Sequence, residues 1–237
     1  MAADHVLLNA VDEDPTTAVI RTYEWAEPTL SLGYFQAYAE LQKEPRWQGV
    51  SVVRRASGGG ALWHHHELTY AVVLPRSLPG AHRPSELYRM IHEALADWLR
   101  EKKVVASRRH LQNETSATSG TAADSRPFLC FLDQDPEDVV VGTTKVIGSA
   151  QRRRPQAVLQ HGAILHSVSS TTPELPGLVD LGANVGTVHQ WIEELPQKLA
   201  NALGLTLVQD SWSADLHKSI QQAVDMQFGR PEWIQKR

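Results

Sequence analysis

The stretch Arg54-Arg55-Ala56-Ser57-Gly58-Gly59-Gly60-Ala61-Leu62-Trp63-His64 holds the densest set of residues able to do chemistry in this chain. Three successive glycines carry no Cβ, so the backbone can take positive φ and a ligand can lie against main-chain N–H groups. A bare glycine run is by itself a flexible hairpin turn. Here two arginines enter the run and a histidine leaves it toward the apolar Leu68-Thr69-Tyr70-Ala71-Val72-Val73-Leu74. Such polar groups are costly between two buried strands unless they meet a ligand or one another, so the expected unit is strand, glycine turn, strand around a small bound group. Two further residues have reactive chemistry. Cys130 lies among Phe128, Leu129 and Phe131, locally the setting of an inert core thiol, and Lys145 alone reads as a solvated lysine at a hairpin edge.

Arg54-Arg55-x-Ser57-Gly58-Gly59-Gly60-x-x-x-His64 resembles the R-R-x-[ST]-G-G-x-x-x-x-H signature of the lipoate-protein ligase and octanoyltransferase family. Lys145-Val146-Ile147-Gly148-Ser149-Ala150-Gln151 and Leu159-Gln160-His161-Gly162-Ala163-Ile164-Leu165 resemble that family's K-[IV]-x-G-S-A-Q and L-Q-H-G-[ST]-[IL]-L segments. Weaker likenesses at Leu30–Gln36 and Glu232-Trp233 extend the resemblance over most of the chain. It implies a biotin/lipoate protein ligase-like catalytic domain over residues 1–237, an α/β (α+β) fold whose mixed, mostly antiparallel sheet is flanked by helices. It also implies one acyl-binding tunnel, with Arg55, Ser57, Gly58, Gly59, Gly60, His64, Gly148, Ser149, Ala150, His161 and Gly162 on the substrate.

Within the family, a Cys-Phe pair upstream of the lysine segment occurs in the cysteine-dependent octanoyltransferases, where the cysteine carries the acyl group. Cys130-Phe131 matches it, and the resemblance thus makes Cys130 the nucleophile and Lys145 its catalytic partner. A thiolate exchanges with an acyl thioester at little net cost, and the enzyme thioester then acylates a lysine amine downhill, so no nucleotide or other cofactor is required. A nearby ammonium would favour the thiolate and polarise the acyl carbonyl, an effect worth about 3 kcal/mol in a dry site. The implied activity moves octanoyl from acyl carrier protein to a lysine of glycine-cleavage H protein or of a 2-oxoacid dehydrogenase lipoyl domain. Amidotransfer between lipoyl-domain proteins, ATP-dependent lipoate ligation and a noncatalytic lipoyl-carrier binding module are the alternatives. The sequence departs from the pattern after Phe131: Leu132–Glu137 lacks the expected aromatic-rich stretch, which bears on the shape of the tunnel.

His64-His65-His66 invites a metal reading, but adjacent side chains of a strand face opposite ways, so the three cannot converge on one ion. His65 stands where relatives often have Asp. Arg152-Arg153-Arg154 is a solvated turn or, beside a tunnel mouth, a docking point for an acidic carrier such as acyl carrier protein or a lipoyl domain.

The elements that must position these groups follow from pattern. Residues 1–11 carry Val6, Leu7, Ala10 and Val11 at helical spacing. Family members usually have a short strand before this helix, so either the start falls late or the amino terminus is naturally shorter. Ala18–Tyr23 and Leu30–Gly33 read as strands flanking the glycine-loop strands. Ser85–Lys103 is an amphipathic helix, Val139–Val141 a strand turning at Gly142 into Lys145, and Ala157–His166 a long strand. Thr187–Leu203 is a helix that Pro196 could kink, and Ala214–Gln227 is another. Gln112–Ser125, polar and without periodicity, reads as a mobile loop, and a hairpin is expected to bring Cys130 near Lys145.

Composition frames the rest. With 237 residues, 42% hydrophobic and 21% charged, the chain can bury one sizeable core. A net charge of −4 gives no support for general nucleic-acid or membrane-surface binding. A single cysteine excludes internal disulfides, and with no membrane-spanning run or signal peptide the expected location is cytoplasmic.

Overall fold

The computed structural model describes residues 1–109 and 127–236; the expected loop Gln112–Ser125 lies outside them. Helix α1 (Ala2–Glu13) precedes β1 (Val19–Tyr23), β2 (Thr29–Leu32), a single turn α2 (Tyr38–Leu41), β3 (Ser51–Arg54), β4 (Leu62–His64) and β5 (Glu67–Pro75). Then come α3 (Pro84–Glu101), β6 (Ala106–Arg108), β7 (Val139–Val141), β8 (Thr144–Arg153), β9 (Ala157–Leu165), α4 (Val188–Ala202), α5 (Ala214–Ala223) and α6 (Pro231–Ile234). Among the described residues six strands form an antiparallel sheet in the order β1-β5-β9-β8-β7-β6, and three form a small sheet in the order β3-β2-β4.

Strand β5 is buried along its whole length, which is why its sequence is apolar from Tyr70 onward rather than alternating, with Glu67 and Thr69 as buried polar exceptions. Leu68, Tyr70, Val72 and Leu74 face a core shared with Leu87, Ile91, Leu95 and Leu99 of α3 and Trp191, Leu195 and Leu199 of α4. Ala71 and Val73 point the other way, against Leu7, Leu8 and Val11 of α1. The strand period of two thus feeds two cores from one segment. Helix α3 starts with Pro84 in its first turn, and α4 starts with a capping box in which Thr187 and Gln190 satisfy each other's backbone N–H. Trp98 and Trp191 meet edge to face at 5.3 Å where the two helices pack. Helix α4 runs on past Pro196.

The glycine stretch is not a hairpin. β3 runs parallel to β2 and β4 antiparallel to it, so β2 lies between them and the loop passes over its end. Arg55 N–H donates to Leu32 O there (3.0 Å). The helix expected over Ala214–Gln227 is α-helical only to Ala223, after which a π-turn over Val224–Phe228 brings Phe228 against His5 and Trp233.

Arg54, fully buried, closes the chain end onto this frame. Its guanidinium donates to Gly33 O and Gln36 O (both 2.7 Å), to Trp233 O and Ile234 O (3.1 and 3.0 Å) and to Lys236 O (3.1 Å). The last carbonyls of α6 have no partners within the helix, and a cation is well placed to take them. Arg54→Met, which keeps the stem and removes the donors, should lower unfolding free energy by about 3 kcal/mol, because several buried carbonyls lose their partners together. Urea denaturation measures this, and amide exchange should quicken across residues 231–236; unchanged exchange there would contradict the clamp.

Candidate functional site

The placement of Cys130 starts from the glycine loop. Ala61 N–H donates to Phe128 O and Cys130 N–H to Ala61 O, both at 2.7 Å, a short parallel bridge that ends in a 3-10 turn over Cys130–Leu132. A Cβ on Gly60 would lie 2.9 Å from Cys130 N and Phe128 O, so this approach requires glycine. The thiol is therefore delivered by backbone pairing to the glycine loop, while the hairpin delivers the lysine. Strands β7 and β8 turn at Gly142, and their register shifts between Val139 and Val140, opposite Ile147 and Lys145.

Lys145 Nζ lies 2.9 Å from Asp138 Oδ1 and 4.0 Å from Cys130 Sγ. It donates to Cys130 O at 3.0 Å and Asp133 O at 3.3 Å. Its side chain curls back over Gly148, where a Cβ would sit 2.6 Å from Lys145 Cε. Burial opposes the ammonium, but the Cys130 and Asp138 charges outweigh it and leave the lysine pKa raised. Burial also pushes Asp138 up to about 6, against the pull of Lys145.

Cys130 opens onto a narrow cleft with largely apolar walls. Arg55, His64, Gly148, Ser149, Ala150, His161 and Gly162 share its lining with Ser31, Leu62, Thr69 and Met1. Ser57, Gly58 and Gly59 form the loop behind it. Arg55 grips that loop, donating to Gly58 O at 2.8 Å, Gly60 O at 2.6 Å and Ser31 O at 2.9 Å. Ser57 O–H donates to His161 Nε2 at 2.6 Å, and His161 Nδ1–H to Asp4 Oδ2 at 3.0 Å. Burial disfavours the Asp4 carboxylate, yet the His161 hydrogen bond and neighbouring positive charges, Arg21 among them, hold its pKa well below the usual range. A second relay supports Ser149, whose hydroxyl donates to His92 Nε2 (2.6 Å) and accepts from Gln160 Nε2 (3.1 Å). His92 Nδ1–H is spent on Glu137 O.

The three consecutive histidines diverge. His64 Nδ1 pairs with Glu67 Oε1 and its ring stacks on Trp25, whereas His65 bonds Ser169 Oγ at 2.9 Å and stacks on His66. The three arginines also part company. Arg153 donates to Ala81 O at 2.6 Å and His82 O at 2.8 Å, tying β8 to the approach of α3. Arg152 lies 5.8 Å from the Tyr34 ring, and Arg154 O accepts from Arg76. Sequence reasoning passed over Asp4, Glu67, His92 and Asp138. Glu67 had a signal, three residues after His64; the other three looked like ordinary helix or turn residues.

An ammonium 4.0 Å from a thiol at the wall of an apolar cleft can stabilise negative charge on sulfur and donate to an oxygen developing charge beside it. Fold and site together define an α/β protein in which a half-buried cysteine lies beside a buried lysine at the wall of an apolar cleft. The lipoyl protein ligase A/B catalytic domain family matches residues 1–180, and the chain belongs to that family. Among curated relatives, an octanoyltransferase LipM of Macrococcus caseolyticus is 36% identical over 174 residues, covering 71% of this chain and 61% of the relative. One of Staphylococcus aureus is 36% identical over 176 residues, with the same shares. The chain thus spans about three fifths of the length of the curated relatives it matches. Among solved structures, lipoate-protein ligase A bound with ATP superposes with a TM-score of 0.72 at 20% identity, over 99% of this chain and 92% of that one. The bi-partite lipoate protein ligase from Thermoplasma acidophilum gives 0.72 at 19% identity, over 99% and 89%. Both agree in fold.

Two outcomes follow from this geometry. Gly148→Ala should displace the ammonium from Cys130 and Asp138, reducing turnover about 100-fold or more and lowering stability by about 3 kcal/mol, because the added Cβ would sit 2.6 Å from Lys145 Cε and break a buried ion pair. Steady-state kinetics beside thermal melting checks it, and near-normal turnover would show that Lys145 need not lie over Gly148. The second outcome concerns His92, whose pKa burial lowers to about 4. The fold favours the neutral ring, so its contribution is complete above the unfolded value near 6.5 and is lost as pH falls toward 4, on the order of 3 kcal/mol in all. Urea midpoints should therefore drop across this window for the wild type and drop less for His92→Gln.

Proposed function

We propose that residues 1–237 act as one catalytic domain with octanoyltransferase activity. The domain takes octanoyl from acyl carrier protein, holds it as a thioester on Cys130, and delivers it to a lysine of glycine-cleavage H protein or of a lipoyl domain. The observation that carries this reading is the Lys145 ammonium 4.0 Å from Cys130 Sγ at the wall of the apolar cleft. The names of the curated relatives support the same class of reaction.

In the first half-reaction the Cys130 sulfur forms a bond to the donor's acyl carbon, and the carrier's thiolate leaves with the electron pair of the broken C–S bond. Lys145 stabilises the attacking sulfur and the carbonyl oxygen as it gains charge. In the second, the acceptor amine forms the C–N bond and Cys130 regains its electron pair. Thioester exchange is nearly balanced and amide formation is downhill, so the pathway draws on no nucleotide. Arg152 and Arg154 are the proposed contacts for an acidic carrier, because Arg153 is occupied by Ala81 O and His82 O.

ATP-dependent ligation remains the second reading, favoured by the shared fold with a ligase bound to ATP. The two separate in one assay of apo H protein. Octanoyl-acyl carrier protein without ATP or magnesium should give the amide, free octanoate with both should not, and Cys130→Ala should abolish transfer while melting like the wild type. Product only from octanoate with ATP, or full turnover by Cys130→Ala, would make the chain a ligase and Cys130 a packing residue.

A further inference from the structure

His64 is 3% exposed, and its ring is stacked on Trp25 at a centroid distance of 4.0 Å. Its Nδ1–H donates to Glu67 Oε1. That carboxylate is itself fixed by the Thr69 hydroxyl at 2.8 Å, and Thr69 accepts the Trp25 indole N–H at 3.0 Å. The other ring nitrogen, Nε2, is buried and has no partner, although His64 lines the cleft that Cys130 opens onto. A carboxylate at Nδ1 fixes the tautomer, so Nε2 carries a lone pair. Burial, against the pull of Glu67, lowers the His64 pKa and keeps that lone pair free.

The other hydrogen-bonding side chains of the cleft wall are either engaged or able only to donate. Arg55 and Lys145 can only donate. His161 is occupied at both nitrogens, by Ser57 and Asp4. Ser31 Oγ accepts from Arg55, Ser149 is engaged with His92 and Gln160, and Thr69 with Glu67 and Trp25. A buried unpaired nitrogen is destabilising, and a ligand that brings an N–H removes that cost. An acyl chain and its thioester carbonyl bring none. The incoming amine does, and it must lose protons to react.

Resting on the transferase reading, the geometry points to His64 as the proton acceptor for the acceptor lysine in the second half-reaction. The ammonium gives one proton to Nε2, and the freed nitrogen lone pair attacks the Cys130 thioester. The C–S bond breaks with its electron pair on sulfur, the second proton lost from nitrogen neutralises that thiolate, and the imidazolium releases its proton to solvent. Glu67 steadies the imidazolium while it lasts.

The test divides the reaction. Wild type and His64→Gln are each mixed with octanoyl-acyl carrier protein alone, the Cys130 adduct is followed by mass spectrometry, and apo H protein is then added in a single turnover. Aminolysis should slow about 100-fold or more in the variant, the usual weight of a general base, and loading should slow far less. An adduct on both proteins with equal aminolysis rates would overturn the inference alone. Equal slowing of both steps would overturn it in favour of a structural histidine, and slowing of loading only would overturn it in favour of a contact to the donor's pantetheine amides. No adduct even on the wild type would overturn the transferase reading and this inference with it.

Discussion

The structure depends on one buried charge. Lys145 is 7% exposed, and taking such a cation out of water costs several kcal/mol unless its protons and charge are answered. Asp138 answers the charge, and the carbonyls of Cys130 and Asp133 answer the protons. Each of these acceptors is held by something else. Asp138 Oδ2 accepts Asp135 N–H at 2.8 Å, fixing the carboxylate from behind. The Cys130 turn is fixed by its bridge to Ala61. Gly148 leaves the space in which the lysine stem can bend. The thiol, 4.0 Å away, is the neighbour on which this preorganised cation can act without first shedding water.

Around this charge, arginines do the work of positioning where a purely apolar core could not. Arg54 and Arg55 are adjacent and both buried, yet they reach opposite ways, one to the chain end and one to the glycine loop. Together they fix the loop that carries Ala61 and hence Cys130. The loop is also held from the far side, where Ser57 meets His161 of β9 and His161 meets Asp4 of α1. Strand β5, packed on both faces, is the rigid member against which these attachments are made.

Much of this was legible in the sequence because it rests on local pattern. The α3 stripe, the largely apolar run of β5 and the helix read from Thr187 gave their elements within a few residues. The glycine, lysine and histidine segments were matched as motifs, and the structure brings Arg55, His64, Cys130, Gly148, Ser149, Ala150, His161 and Gly162 to one cleft. What escaped was set by long-range pairing. That β2 inserts between β3 and β4 has no local signature. Asp138, Asp4 and His92 acquire their meaning only from partners far along the chain. Arg153 looked like part of an exposed basic turn because its acceptors, Ala81 O and His82 O, lie in a distant loop.

Under the proposed function, the buried ammonium makes Cys130 the atom on which an acyl group rests. Peptide mapping after incubation with octanoyl-acyl carrier protein, with no acceptor, nucleotide or magnesium present, tests it most directly. A single hydroxylamine-labile octanoyl group is expected on the peptide containing Cys130, strongly reduced when Lys145 is replaced by Met. An adduct on any other residue, or an equally abundant adduct on Cys130 in the Lys145→Met protein, would contradict it.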